Sequence, residues 1–169
     1  MTDTGRSNDV NTGVQTEKSP NESGSQVTEL AGLKPPTSWV VKVPAMARRA
    51  ISTDRAPAPV AFYSQGIVAD GLVFTAGQGA HDPVTGELPE GIEAQTRRTL
   101  ENVDAILRTA GSSLAEAVKV QVFIADRADY SAMNDVYNAF MPDPPPARTT
   151  VQAGLGRGML VEIDVIARA

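Results

Sequence analysis

Two periods of apolar residues divide most of the chain into elements. "FYSQGIVAD" (62–70) and "GLVFTAG" (71–77) are short strand patterns that meet at Asp70-Gly71, a pair suited to a tight hairpin. From Ile92 the period lengthens to that of a helix. Leu100, Val103, Ile106, Leu107 and Ala110 form one stripe, while Gln95, Arg98, Glu101 and Arg108 fall mostly off it. Gly111 follows where a helix-ending glycine belongs. "AVKVQVFIAD" (117–126) alternates again and predicts Val118, Val120, Val122 and Ile124 on one strand face. Asp126 is a candidate cap for a second helix with the stripe Tyr130, Met133, Val136, Tyr137 and Phe140. Pro142, Pro144, Pro145 and Pro146 then stop that helix, and two strands end the chain. The order β-β-α-β-α-β-β, with "RRAIST" (48–53) a candidate for one more strand, predicts an α/β layer design. In it, two helices pack on one face of a sheet.

The N-terminal part reads differently. Residues 1–26 are rich in Ser, Thr, Asn and Gly and contain almost nothing to bury, so disorder is predicted. Residues 27–46 hold Trp39, the only tryptophan, in an apolar run broken by Pro35, Pro36 and Pro44, and suit a loosely docked linker. Met46 opens a stretch that would pass for a start of its own. The expected division is an extension over residues 1–46 and one domain over residues 47–169.

Composition narrows the functional classes. A hydrophobic content of 41% with 21% charged residues is that of a soluble globular chain. Fifteen basic against twenty acidic residues give a net charge of -5, which argues against nucleic acid as the main partner. The absence of cysteine removes disulfides, thiolate metal sites and a thiol nucleophile together. No apolar run approaches a membrane span, and no signal-peptide pattern opens the chain, so the expected setting is the cytoplasm.

Several familiar chemistries are missing. There is no glycine-rich dinucleotide or phosphate loop. The single histidine, His81, sits in a loop flanked by glycine and proline and is expected to be solvated; one histidine cannot by itself build a zinc site or a serine triad. Ser64 lacks a histidine to activate it. Glu162 and Asp164 share a strand face, but as a metal pair they lack further ligands. Arg148 and Glu162 have two readings. They are surface residues of the last two strands, or they form a site in which an arginine fork grips a carboxylate and a glutamate activates water.

"YSQG" (63–66), "GQ" (77–78) with "DPVTGE" (82–87), "QT" (95–96), "NDVYNAF" (134–140), "PAR" (146–148) and "VEIDVIA" (161–167) resemble, in order and spacing, the Rid (YjgF-like) family of enamine/imine deaminases. The resemblance runs from Ile51 to Ala167. It implies a chorismate-mutase-like fold, a mixed sheet with two helices on one face, assembled as a homotrimer around a central barrel with sites between subunits. The implied reaction is cofactor-free hydrolysis of small 2-enamine or 2-imine acids, such as 2-aminoacrylate or 2-iminopropanoate, to the 2-keto acid and ammonia. On the matching positions, Arg148 grips the substrate carboxylate, Glu162 positions the attacking water and Tyr63 lines the pocket. Asn134 lies nearby, and Gly77 and Thr150 supply backbone contacts.

The chain departs from the family pattern at Ala76, where serine is common, and at Thr150, where cysteine is common. It also has a shorter loop between the last two strands. Alternatives are a 2-aminomuconate-type deaminase, in which the chemistry is kept and the substrate moves, and a non-catalytic ligand-binding or RNA-acting member. The acidic charge counts against RNA, and the retained arginine counts against a non-catalytic role.

Overall fold

Asp70 and Gly71 both take positive φ, 50° and 76°. That is the backbone of a two-residue primed turn, which only residues tolerant of the left-handed region supply. The turn joins β2 (Gly66–Ala69) to β3 (Leu72–Thr75), with Ala69 paired to Leu72. The "RRAIST" candidate is a strand as well: β1 (Arg49–Ile51) pairs antiparallel with β2. The computed structural model describes residues 48–156 and 158–169. The predicted extension over residues 1–46, with Trp39 and Met46, and the loop residue Arg157 lie outside the described residues.

The sheet has six strands in the order β1-β2-β3-β6-β4-β5, where β4 is Ala117–Ile124, β5 is Ala147–Gln152 and β6 is Val161–Arg168. All pairings are antiparallel except β4 with β5. The last two strands are therefore not neighbours; β4 lies between them and β5 forms an edge. Helices α1 (Ile92–Ala110) and α2 (Tyr130–Asn138) supply the second layer. Gly111 ends α1 at φ 94°, as its position predicts. Leu100, Val103 and Leu107 of α1 and Met133 and Tyr137 of α2 bury against Val120, Val122, Ile124, Val161, Ile163 and Val165.

Four local expectations change. Val118 leaves the predicted face and is 42% exposed, because a register shift between Ala117 and Lys119 inserts a bulge into β4. Residues Phe62–Gln65 are not strand. Gln65 is buried, accepts from Thr53 N at 2.7 Å and donates to the carbonyls of Thr53, Ala56 and Pro57, which fastens the 53–57 loop to the start of β2. Gln95 is buried rather than off the core stripe. It donates to the carbonyls of Pro89 and Gly158 and accepts from Leu160 N at 2.8 Å. Asp126 caps a single 3-10 turn over Arg127–Asp129, through Ala128 N at 2.9 Å, and that turn leads into α2. Among the described residues no helix is long and apolar enough to cross a membrane.

Candidate active site

Among the described residues no element covers the face of the sheet away from the helices. Phe74 and Val151 stand on it, partly exposed, among polar pairs such as Lys119 Nζ to Thr149 Oγ1 at 2.6 Å and Gln121 to both oxygens of Asp164 at 3.1 and 3.2 Å. Glu162 belongs to this face, paired across to Phe123, whereas Val161 and Ile163 on either side of it are core. Its carboxylate rests against the backbone of Gly77. A Cβ at Gly77 would lie 2.3 Å from Glu162 Oε1, so glycine is what allows that approach. Backbone bonds between Gln78 and Ile163, at 2.9 Å and 3.0 Å, keep the segment beside β6. Asp164, the other half of the sequence pair, is engaged by Gln121, and no group of three His, Asp or Glu among the described residues is placed to hold a metal.

Glu162 and Gly77 open into a cavity of about 390 Å³ that Tyr63 also lines. Val60 and Met159 give it apolar wall; His81 and Asp82 add polar wall. The position of His81 is a correction: it is half-buried and lines this cavity instead of being solvated. The cause is Asn102 of α1, itself buried, which donates to the carbonyls of Gly79 and His81 at 2.9 Å each and holds the loop inward. Asp82 accepts from Val84 N at 2.9 Å and Thr85 N at 3.0 Å, and Arg98 Nη2 lies 3.5 Å away. The backbone N–H groups of Thr85 and then Val84 hold its carboxyl below the ordinary value, with the Arg98 charge acting in the same direction.

Arg148 is elsewhere. From β5 it pairs across to Val120 of β4, so its side chain leaves the sheet on the helix side. There its guanidinium lies 4.5 Å from the centroid of Tyr137 and donates from Nη2 to the Tyr130 hydroxyl at 2.8 Å. Burial pushes the Tyr137 phenol above its ordinary value, opposed by the Arg148 charge. Arg148 and Thr150 line a second cavity of about 300 Å³. Thr150 Oγ1 is buried there with no partner among the described residues. Asn134 is half-buried on α2, one turn after Tyr130, and lines neither cavity.

The site residues named from the sequence thus form two groups: Tyr63, Gly77 and Glu162 in one cavity, Arg148 and Thr150 in the other. Within one chain the groups cannot share a small molecule. Two strand spacings and three residues of register separate the backbones of Arg148 and Glu162, roughly 14 Å, and the side chains leave opposite faces. Sequence reasoning missed His81, Asp82 and Met159, because loop residues carry no period. It missed Arg127 because a turn carries basic residues routinely, and it read Tyr130 as part of the apolar stripe of α2, where the structure leaves it exposed at the arginine cavity.

A mixed sheet with two helices on one face, an arginine on β5 and a glycine-backed glutamate on β6 define a class that comparison with known proteins identifies. Residues 53–169 match the family described as Endoribonuclease L-PSP, and the chain belongs to this YjgF/Rid family. It is similar to a RutC family protein of Pyrococcus abyssi, 43% identical over 124 residues, covering 72% of this chain and 98% of that protein. It is also similar to the 2-iminobutanoate/2-iminopropanoate deaminase of Capra hircus, 40% identical over 124 residues, covering 72% and 90%. Among solved structures, RidA from the Antarctic bacterium Psychrobacter sp. matches with a TM-score of 0.69 and 41% identity, covering 72% of this chain and 99% of that one. E. coli TdcF with bound serine matches at 0.68 and 39%, covering 72% and 98%.

Proposed function

We propose that the protein is a cofactor-free hydrolase of small 2-enamine and 2-imine acids, releasing ammonia and the 2-keto acid. The observation that carries the reading is the division of the motif residues into an arginine cavity and a glutamate cavity on opposite faces of one sheet. Each cavity alone is half of a site: one binds an anion, the other orders a water beside a carboxylate. A head-to-tail contact between copies, closed as a ring, brings the arginine half of one subunit to the glutamate half of the next. The open sheet face and the fully exposed Phe62, beside Tyr63 at the cavity rim, are the surfaces such a contact would cover. We take the ring to be the homotrimer implied by the resemblance.

In that composite site Arg148 holds the substrate carboxylate by two-point hydrogen bonding, its plane fixed by Tyr130 and Tyr137. Water held by Glu162 adds to C2 of the imine, the carboxylate taking a proton from it. That proton passes to the nitrogen to give the carbinolamine; the carboxylate then takes the proton of the new hydroxyl and hands it to the nitrogen, so that C=O forms as the C2–N bond breaks and ammonia leaves the 2-keto acid. An enamine first takes a proton at carbon to become the imine. Every proton is accounted for by Glu162, water and substrate, and no electron transfer is involved. The family description includes a ribonuclease; the net charge of -5 and the carboxylate-lined cavity favour the imino acid. A cytoplasmic setting belongs to this reading, and cell fractionation checks it.

The test is subunit mixing. Arg148→Ala and Glu162→Gln proteins are each expected to fall at least about 10²-fold toward 2-iminopropanoate generated in place, read as ammonia release. Random 1:1 trimers made by co-refolding should regain about one quarter of the parent activity, since three quarters of them hold one intact interface of three. Mixtures as inactive as their components would refute a site between subunits.

A further inference from the structure

The arginine cavity contains a second arginine. Arg127, in the 3-10 turn before α2, lines it together with Arg148, Tyr130, Thr150 and Gln152, and among the described residues no acidic one lines it. Asp126 and Asp129 flank Arg127 in sequence, yet among the described residues neither Arg127 nor Arg148 has a carboxylate within ion-pairing distance. Asp126 is turned to its own turn, accepting from Ala128 N. The turn is also anchored: Gln152 at the end of β5 donates to the carbonyl of Ala125 at 3.2 Å, which ties the Arg127 segment to the strand that carries Arg148. In a chain with an excess of acidic residues, two guanidinium groups left without counter-charge at one cavity form an anion site with more positive charge than a monocarboxylate needs.

We propose that Arg127 is a specificity-determining residue that selects 2-imino or 2-enamine acids carrying a second carboxylate on the side chain. The inference rests on the deaminase reading above and narrows its substrate class: Arg148 takes the carboxylate beside the reacting carbon, and Arg127 takes the distal one. The 2-aminomuconate-type alternative weighed from the sequence falls within this class.

The 2-keto acid products serve as stable probes, so that binding is read apart from turnover. Calorimetric titration of the full-length protein at fixed ionic strength should show 2-oxoglutarate binding about fivefold to tenfold tighter than 2-oxobutanoate, the second contact being partly screened by solvent. Arg127→Met should bring that ratio close to one, and Arg127→Lys should keep part of it. Equal affinities in the parent protein, a ratio that Arg127→Met leaves unmoved, or a change of molecular mass in Arg127→Met would overturn the inference. The first two remove the selectivity; the third makes Arg127 an interface residue. A parent protein that binds neither keto acid and deaminates neither imine overturns the deaminase reading itself, and this inference with it.

Discussion

Gly77→Ala is the smallest change that isolates the position of Glu162. Gly77 is not among the residues held at positive φ, so alanine meets no backbone obstacle there. The added Cβ does meet Glu162: it would stand 2.3 Å from Oε1, 2.9 Å from Cδ and 3.2 Å from Cγ. An ordinary contact needs about 3.5 Å, so the carboxylate has to retreat by about 1 Å or turn to another rotamer. Displacing a catalytic group by that amount costs about 10²-fold in rate. The flexible end of one side chain absorbs the clash, so unfolding free energy should change by less than about 1 kcal/mol. Ammonia release from 2-iminopropanoate measures the rate, and denaturant unfolding shows that the fold is kept. In a Glu162→Ala background the methyl group has nothing left to strike, so Gly77→Ala should then cost almost nothing further. A Gly77→Ala enzyme as fast as the parent, or one equally damaged with and without Glu162, would mean that Glu162 does not act from where it lies.

Other outcomes are expected at single residues. Arg148→Lys keeps the charge but loses the fork, and should fall at least about tenfold in kcat/KM, with Arg148→Ala lower still; steady-state kinetics decide. Asn102→Ala leaves the partly buried carbonyls of Gly79 and His81 without their donor and should lose roughly 2–4 kcal/mol of stability in denaturant melts, with the loop loosened. The Asp82 carboxyl is held below its ordinary value. Its stabilising contribution is therefore complete above about pH 4 and is lost as pH falls through the lowered value. Asp82→Asn should accordingly flatten the acid side of the melting-temperature profile and leave the neutral side parallel to the parent. Activity should survive exhaustive chelation; a rate lost to EDTA and restored by a divalent cation would bring Glu162 and Asp164 forward as ligands.

Much of the fold was legible because its signals are local. Asp70-Gly71 makes its turn from two backbone preferences, Gly111 ends α1 from one, and the stripe from Leu100 to Leu107 buries as its spacing predicts. The errors come from interactions between distant segments. Gln95 falls off the apolar stripe yet is buried, like Asn102, because loop carbonyls from elsewhere in the chain need donors. Val118 breaks the alternation of β4 through a bulge that no residue type announces. Motif resemblance picked out Arg148 and Glu162, yet their separation depends on β4 lying between β5 and β6, and strand order is not written in either strand.

Among the described residues, the strand that carries Arg148 is hydrogen-bonded on one side only, to β4. Alternate peptide groups of β5 therefore point away from the sheet with no strand beyond them. In a lone subunit those amides would exchange their hydrogens with solvent at nearly the rate of an open chain, while their inward neighbours would be slow. Deuterium uptake along Ala147–Gln152 thus becomes a residue-by-residue gauge of whether another chain has closed over the edge. Dilution that frees subunits should appear there, at the outward amides, before any change reaches the cores of α1 or β6.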